Sequence, residues 1–142
     1  MRSLLWAVLP ITLLAATPVA AQPENYAGTW AFQTQPYGDQ QFGVVMSGVA
    51  VASASAPGRY DIRLIANELI IDRTSGRSQT ITARQTCTGE DTGGQFNIAC
   101  QMAEPVEGYQ PDNFVLQAGD ADQLVGVLSS TASGQVTFTR VR

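Results

Sequence analysis

The chain has no histidine and no lysine among its 142 residues. Without histidine it lacks the commonest general base and the commonest transition-metal ligand. Without lysine it cannot form a Schiff base or supply the lysine of a phosphate-binding loop. Ser129-Ser130 has no histidine to activate it and no nucleophile-elbow glycines around it, which excludes a serine hydrolase. Asp120-Ala121-Asp122 would need an oxygen ligand at Leu124 and a glycine at Val125 to continue as a calcium loop, so it reads as a polar turn. Paired carboxylates can run glycoside chemistry, but no spacing draws two of the 12 acidic residues together. The expectation is a non-catalytic protein with no cofactor and no metal.

Positive charge is scarce too. All eight basic residues are arginine. Residues 1–21 read as a cleavable signal peptide: Arg2 gives the positive start, Leu4 to Ala16 a short apolar stretch interrupted by Pro10, and Val19-Ala20-Ala21 the small residues before Gln22. The stretch is short for a bilayer span, which takes about 20 residues, so no integral membrane span is expected after leader removal. The remainder, 22–142, reads as a single domain. It carries seven arginines against 12 acids, a net charge of −5. Nucleic-acid binding wants a basic face, which this balance does not offer, and there is no polybasic patch for a membrane surface. Arg59, Arg63, Arg73, Arg77 and Arg84 do cluster along the chain. They read as a solvated face balanced by Asp61, Glu68 and Asp72, or as a recognition surface for an anionic partner. The compartment expected is periplasmic or secreted.

What is present is alternation, broken by turn residues. In Gly28 to Thr34, Gly28, Trp30 and Phe32 share a parity, and Pro36 to Asp39 is a turn. Phe42 to Ala52 follows, then a loop of small residues from Ser53 to Gly58. Arg59 to Ala66 sets Tyr60, Ile62 and Leu64 against Asp61 and Arg63. Glu68 to Arg73 is a separate short run, and Ser78 to Thr88, Gln95 to Met102, Asn113 to Ala118, Gln123 to Ser130 and Gln135 to Val141 complete the set. Ile62, Ile65 and Leu69 also fall at helical spacing, but the β-branched content favours strands. About eight short strands at roughly 10–15-residue spacing predict an all-β fold, an antiparallel up-and-down barrel.

Cys87 and Cys100 are the only cysteines, and in an exported chain they read as a disulfide. Their spacing fits a hairpin. A two-residue turn at Gly93-Gly94, of the type with positive φ at both positions, sets Thr92 opposite Gln95, Asp91 opposite Phe96, Gly89 opposite Ile98 and Cys87 opposite Cys100. Counted outward, the cysteines form a non-hydrogen-bonded pair, where Cα atoms approach to about 4.5 Å, within disulfide range. Cys87, Ala83 and Ile81 then share the apolar face with Phe96, Ile98 and Cys100, while Arg84 and Asn97 face outward. A wider turn within Gly89 to Gly94 would also bring the cysteines together.

Gly28-Thr29-Trp30 at one end and Phe138 with Arg140 at the other resemble the calycins, which include lipocalins, fatty-acid-binding proteins and avidins. The resemblance implies a small closed barrel of lipocalin-like form in which Gly28, Trp30 and Arg140 close one end, the guanidinium packing over the indole. The opening strand is also similar to that of a family of small periplasmic metalloprotease inhibitors, from which the mid-chain cysteines depart. Two functions follow. The first is a binding module whose interior, lined by Phe32, Tyr60, Ile62, Leu64, Phe96, Ile98, Phe114 and Leu116, holds a small apolar ligand. The second is a protein-interaction module, an inhibitor or an accessory subunit of a cell-envelope complex. The candidate ligand or recognition residues are Tyr37, Tyr60, Tyr109 and Phe114. A cavity of about 300 Å³ or more favours the first, a packed interior beside an exposed apolar cluster the second.

Overall fold

A computed structural model describes residues 25–142, so the signal-peptide reading lies outside the described residues. Among the described residues nine strands run β1 Gly28–Thr34, β2 Tyr37–Gly38, β3 Phe42–Ala56, β4 Arg59–Asp72, β5 Ser78–Asp91, β6 Phe96–Met102, β7 Asn113–Ala118, β8 Gln123–Ser129 and β9 Ser133–Val141. All pairings are antiparallel, each long strand joins its sequence neighbour, and β1 closes the sheet by pairing with both β9 and β3. The result is an eight-stranded up-and-down barrel with β2 as a short extension. Among the described residues no helix is long and apolar enough to cross a membrane.

Strand parity sets inside from outside. On β4, Tyr60, Ile62, Leu64 and Ala66 are buried, while Asp61, Arg63 and Ile65 are exposed. The interior is filled in three levels by these inward side chains. Tyr26, Trp30, Tyr60 and Phe96 occupy one end, with Tyr26 and Phe96 stacked at 4.1 Å. In the middle, Phe32 stacks on Phe138 at 5.0 Å and meets Phe114 edge-on at 5.7 Å, in one cluster with the fully buried Leu64, Leu116 and Leu124. Each of these rings and aliphatic chains contributes about 1.5–3 kcal/mol through burial. Gly48 lies on the inward parity of β3 because Phe32 takes its space: a Cβ there would stand 2.5 Å from Phe32 Cζ and 2.1 Å from the Ile65 carbonyl oxygen. The third level is polar and belongs to the site below.

Pro36 to Asp39 is not the turn expected: Tyr37 and Gly38 pair with β3 as β2, and the turn falls at Asp39 to Phe42, whose carbonyl accepts from the Asp39 N–H. Three further expectations about local structure change. First, β4 is one strand through Asp72, not two runs broken at Asn67. Asn67 faces outward opposite Thr82 and accepts a hydrogen bond from its hydroxyl (2.8 Å), so the residue bridges strands instead of ending one. Second, the small residues Ser53 to Ala56 extend β3 up to a register shift at Ala54/Ala56, and only Pro57-Gly58 turn. Third, the turn after β5 has positive φ at Gly93 alone (84°), which fits a type II′ turn. Both turn types have two residues, so the register of β5 on β6 is the one derived: Asp91↔Phe96, Gly89↔Ile98, Cys87↔Cys100. The cysteines are bonded, with Cα atoms 4.0 Å apart, and both are buried. The disulfide points to an oxidising, non-cytoplasmic compartment.

The strands are unequal, and the inequality makes the site. β3, β4 and β5 have 14 or 15 residues, against six to nine for the other barrel strands. The far ends of the long strands overhang one rim as a flap. β1 stops at Thr34, and the chain rejoins β3 only as the two-residue β2, after a slip of one residue between Gln33↔Ser47 and Tyr37↔Val44. Pro36 sits in that bulge, where a missing N–H costs no ladder bond.

Candidate functional site

The two barrel ends differ. At the closed end Arg140 and Trp30 are direct partners on β9 and β1. The Arg140 guanidinium carbon lies 4.3 Å from the centre of the Trp30 ring. Its two terminal nitrogens donate to the carbonyls of Ala27 and Asn25, each at 2.7 Å, and Trp30 Nε1 donates to the Tyr26 carbonyl at 2.9 Å. Gly28, at φ 125°, leaves room for that guanidinium: a Cβ would stand 3.0 Å from one terminal nitrogen. Tyr60 is buried at this same end and donates to Asn25 Oδ1 at 3.5 Å.

The other end is a mouth. Its wall is the inner face of the flap, with Phe42 and Val44 from β3, Glu68 and Ile70 from β4, Gln79 from β5 and Tyr37 from β2. Across from it lie Gly108 and the turn Ser130 to Ala132, and together they enclose an open cleft of about 460 Å³. Phe42 is 38% exposed, a large apolar side chain facing the opening.

Beneath the mouth is a buried polar cluster. Asp112 is fully buried. Its Oδ2 accepts from Gln85 Nε2 at 2.5 Å and from the Tyr109 hydroxyl at 2.7 Å, and its backbone N–H donates to Gln85 Oε1 at 2.8 Å. Its other oxygen, Oδ1, has no donor. The Ser130 hydroxyl donates to the Gln110 carbonyl instead, at 3.1 Å. A buried carboxylate oxygen without a donor costs about 1–3 kcal/mol or more. Burial pushes the Asp112 carboxyl above its usual range, against the pull of Tyr109 and Gln85. The Glu68 carboxyl is raised as well, first by burial and then by the charge of Asp112. Tyr37 and Tyr109 are raised by burial and by the same two acids, so both phenols keep their protons. The ion pairs among the described residues use Glu104 and Asp122, and neither Glu68 nor Asp112 has a cationic partner.

The four aromatic residues expected to mark recognition are therefore separated. Tyr37 lines the mouth, Tyr109 lies in the polar cluster beneath it, Tyr60 belongs to the closed end, and Phe114 sits in the filled centre. Tyr109 is a buried hydrogen-bond donor to Asp112, not an exposed loop aromatic. The sequence reading singles out neither Gln85 nor Asp112, and it sets Glu68 on the solvated arginine face, whereas the structure places Glu68 half-buried on the inward parity of β4. Parity carried a signal for two of them: Gln85 follows Ile81 and Ala83 on the inward face of β5, and Glu68 follows Leu64 and Ala66 on that of β4. Splitting β4 at Asn67 hid the second. Pro-Asp-Asn reads as turn chemistry, where a carboxylate is ordinary, but Asp112 lies in the segment that leads straight into β7.

A larger concavity, about 700 Å³, lies on the outer face of β3 to β6 among Val51, Asp61, Arg63, Thr86 and Gln101. Its lining sets exposed polar side chains over Ile62 and the Cys87–Cys100 disulfide and includes neither of the raised carboxyls, Glu68 and Asp112, so the mouth is the stronger candidate. Compared with known protein families and with curated proteins, the chain matches none. Among solved structures it is similar to a de novo designed fluorescence-activating β-barrel, with TM-score 0.56 and 16% identity over 82% of this chain and 94% of that one. At that identity the likeness concerns the fold alone.

Proposed function

We propose that the protein is a non-catalytic, periplasmic or secreted β-barrel binding module, and that its site is the mouth under the β3–β5 flap. The carrying observation is the pairing of Phe42, Val44 and Ile70 with an acid that has no cationic partner, Glu68, over the buried and undersatisfied Asp112. Such a surface takes an apolar group that ends in a cation or hydrogen-bond donor. The filled centre weighs against a ligand carried inside the barrel, because Phe32, Phe114 and Phe138 occupy that space themselves. An open apolar cluster beside a packed interior supports the interaction-module reading over the carrier reading. The Trp30–Arg140 contact supports a lipocalin-like form.

Phenethylammonium tests the mouth, since it joins an aromatic body to a cation. Followed by amide chemical shifts of the folded protein, it is expected to shift Phe42, Glu68 and Ile70 saturably. Phe42→Ser and Glu68→Gln should each weaken the response by about tenfold, some 1.4 kcal/mol. Shifts confined to the closed end, or none at all, would overturn the reading.

A further inference from the structure

We propose that the mouth receives an extended segment of another protein chain, which adds as a strand to the open edge of β5 and lays a lysine or arginine side chain into the cleft. This rests on the reading of the mouth as the binding site.

The edge comes from the unequal strands. β5 pairs with β4 from Arg59↔Glu90 to Ile71↔Ser78, but with β6 only from Gln85 onward. In an antiparallel ladder, alternate residues direct both main-chain groups to the same neighbour. Asp72 N–H donates to the Arg77 carbonyl (2.8 Å), which assigns the odd positions to β4. Thr92 N–H donates to the Gln95 carbonyl (3.0 Å) and Ala103 N–H to the Arg84 carbonyl (2.9 Å), which assigns the even positions to the β6 side. Ser78, Thr80 and Thr82 therefore turn their N–H and C=O groups away from β4, where no backbone group among the described residues meets them. All three residues are exposed. Proteins blunt such edges with proline, lysine or bulges. The run Ser78-Gln79-Thr80-Ile81-Thr82-Ala83 has none of these and is rich in strand-forming residues.

The edge and the cleft are continuous. Gln79 belongs to both, and Ile70 and Glu68 of β4 stand opposite Gln79 and Ile81. Directly opposed residues of a ladder project to the same face. A guest residue opposite Ile81 thus enters the mouth two strand spacings, about 10 Å, from the Glu68 backbone. A lysine or arginine spans that gap with help from the glutamate, its stem along the apolar wall and its charge at the carboxylate. Because Glu68 and Asp112 have no cationic partner in the described chain, the guest is expected to bring one. Main-chain bonds then give affinity and the inward cation gives specificity, as in other strand-addition complexes.

The probe is a capped seven-residue peptide, Thr-Val-Thr-Lys-Thr-Val-Thr, titrated into the isotopically labelled protein. The expected result is a saturable shift of the Ser78, Thr80 and Thr82 amides together with that of Glu68. N-methylation of the alternate threonine amides should weaken binding by about tenfold or more, as should replacing the central lysine by glutamate. Glu68→Gln should weaken the lysine peptide but not change the thermal midpoint by more than a few degrees. If Glu68→Gln fails to fold, the glutamate-for-lysine peptide carries the charge test alone. The proposal is overturned if the N-methylated peptide binds equally well. It is also overturned if the Thr80 and Thr82 amides do not respond, or if sedimentation shows a second copy of the chain holding the edge against the peptide. Should phenethylammonium shift the mouth while the peptide leaves β5 unmoved, the strand-addition inference fails and the mouth reading stands. If neither moves it, both fail.

Discussion

Arg140 stands directly across the β1–β9 ladder from Trp30, its guanidinium carbon 4.3 Å from the indole ring centre. The pair joins the first strand of the barrel to the last. The same guanidinium ties down the chain before β1 through the Asn25 and Ala27 carbonyls.

Replacing Arg140 by methionine should therefore cost more than a surface arginine would. The loss combines the cation–π contact, about 1–2 kcal/mol, with two charge-assisted hydrogen bonds at the low end of their range, about 1.5 kcal/mol each, for a total of about 4–5 kcal/mol. Arg140→Lys keeps the charge but loses the fork that reaches two carbonyls, so it should recover less than half. Urea denaturation of the three proteins reads both effects, and equal midpoints for all three would refute the latch.

Removing the disulfide as Cys87→Ser with Cys100→Ser should cost about 3 kcal/mol, because it closes a short loop in the unfolded chain. The hairpin register is held independently by the two-residue turn. The double variant should thus keep its circular dichroism spectrum and its amide shifts outside β5 and β6, while its thermal midpoint falls.

The pH dependence follows from two opposed sets of carboxyls. Burial raises Asp112 and Glu68, so the native chain holds those protons more tightly than the unfolded chain does. Their contribution is most favourable below the unfolded values, about 4, and is lost as pH rises through the raised native values. Asp39 and Asp72 are lowered, chiefly by backbone N–H donors from Phe42 and Gln41 and from Thr74 and Ser75. Their contribution is present above the unfolded value and is lost as pH falls through the lowered one. Stability measured in urea should decline from about pH 4 toward neutrality, and Asp112→Asn should flatten that limb. A variant with the wild-type slope would show that Asp112 does not carry it.

Gly48→Ala tests the close packing at the barrel centre. The added methyl would meet the Ile65 carbonyl and the Phe32 ring well inside contact distance. A loss of about 3 kcal/mol is expected, the upper range for overpacking. Phe32→Leu in the same chain should recover part of it, a coupling that a double-mutant cycle measures.

The parity of side chains along each strand was legible because it depends only on local geometry. So was the pairing of Cys87 with Cys100, since a tight turn leaves one register. Trp30 and Arg140 could be matched only through resemblance, as nothing in their spacing joins residues at opposite ends of a chain. The site was far less legible. Gln85 stands as a polar residue on an apolar face, and Glu68 would too once β4 is read as one strand, yet parity does not say whether such a residue is satisfied, exposed or poised.

The amino-acid sequence by itself determined an all-β chain, its inward and outward faces and one disulfide-bridged hairpin, because alternation and turns act between near neighbours. The tertiary structure alone decided the rest. Closure of β1 onto β3 and β9 packed three phenylalanines against one another in the centre. The overhang of β3 to β5 past that closure set Glu68 above Asp112, Gln85 and Tyr109, and it left Ser78 to Thr82 without a neighbouring strand. Both results depend on where distant segments end relative to one another, a relation that no short-range pattern encodes.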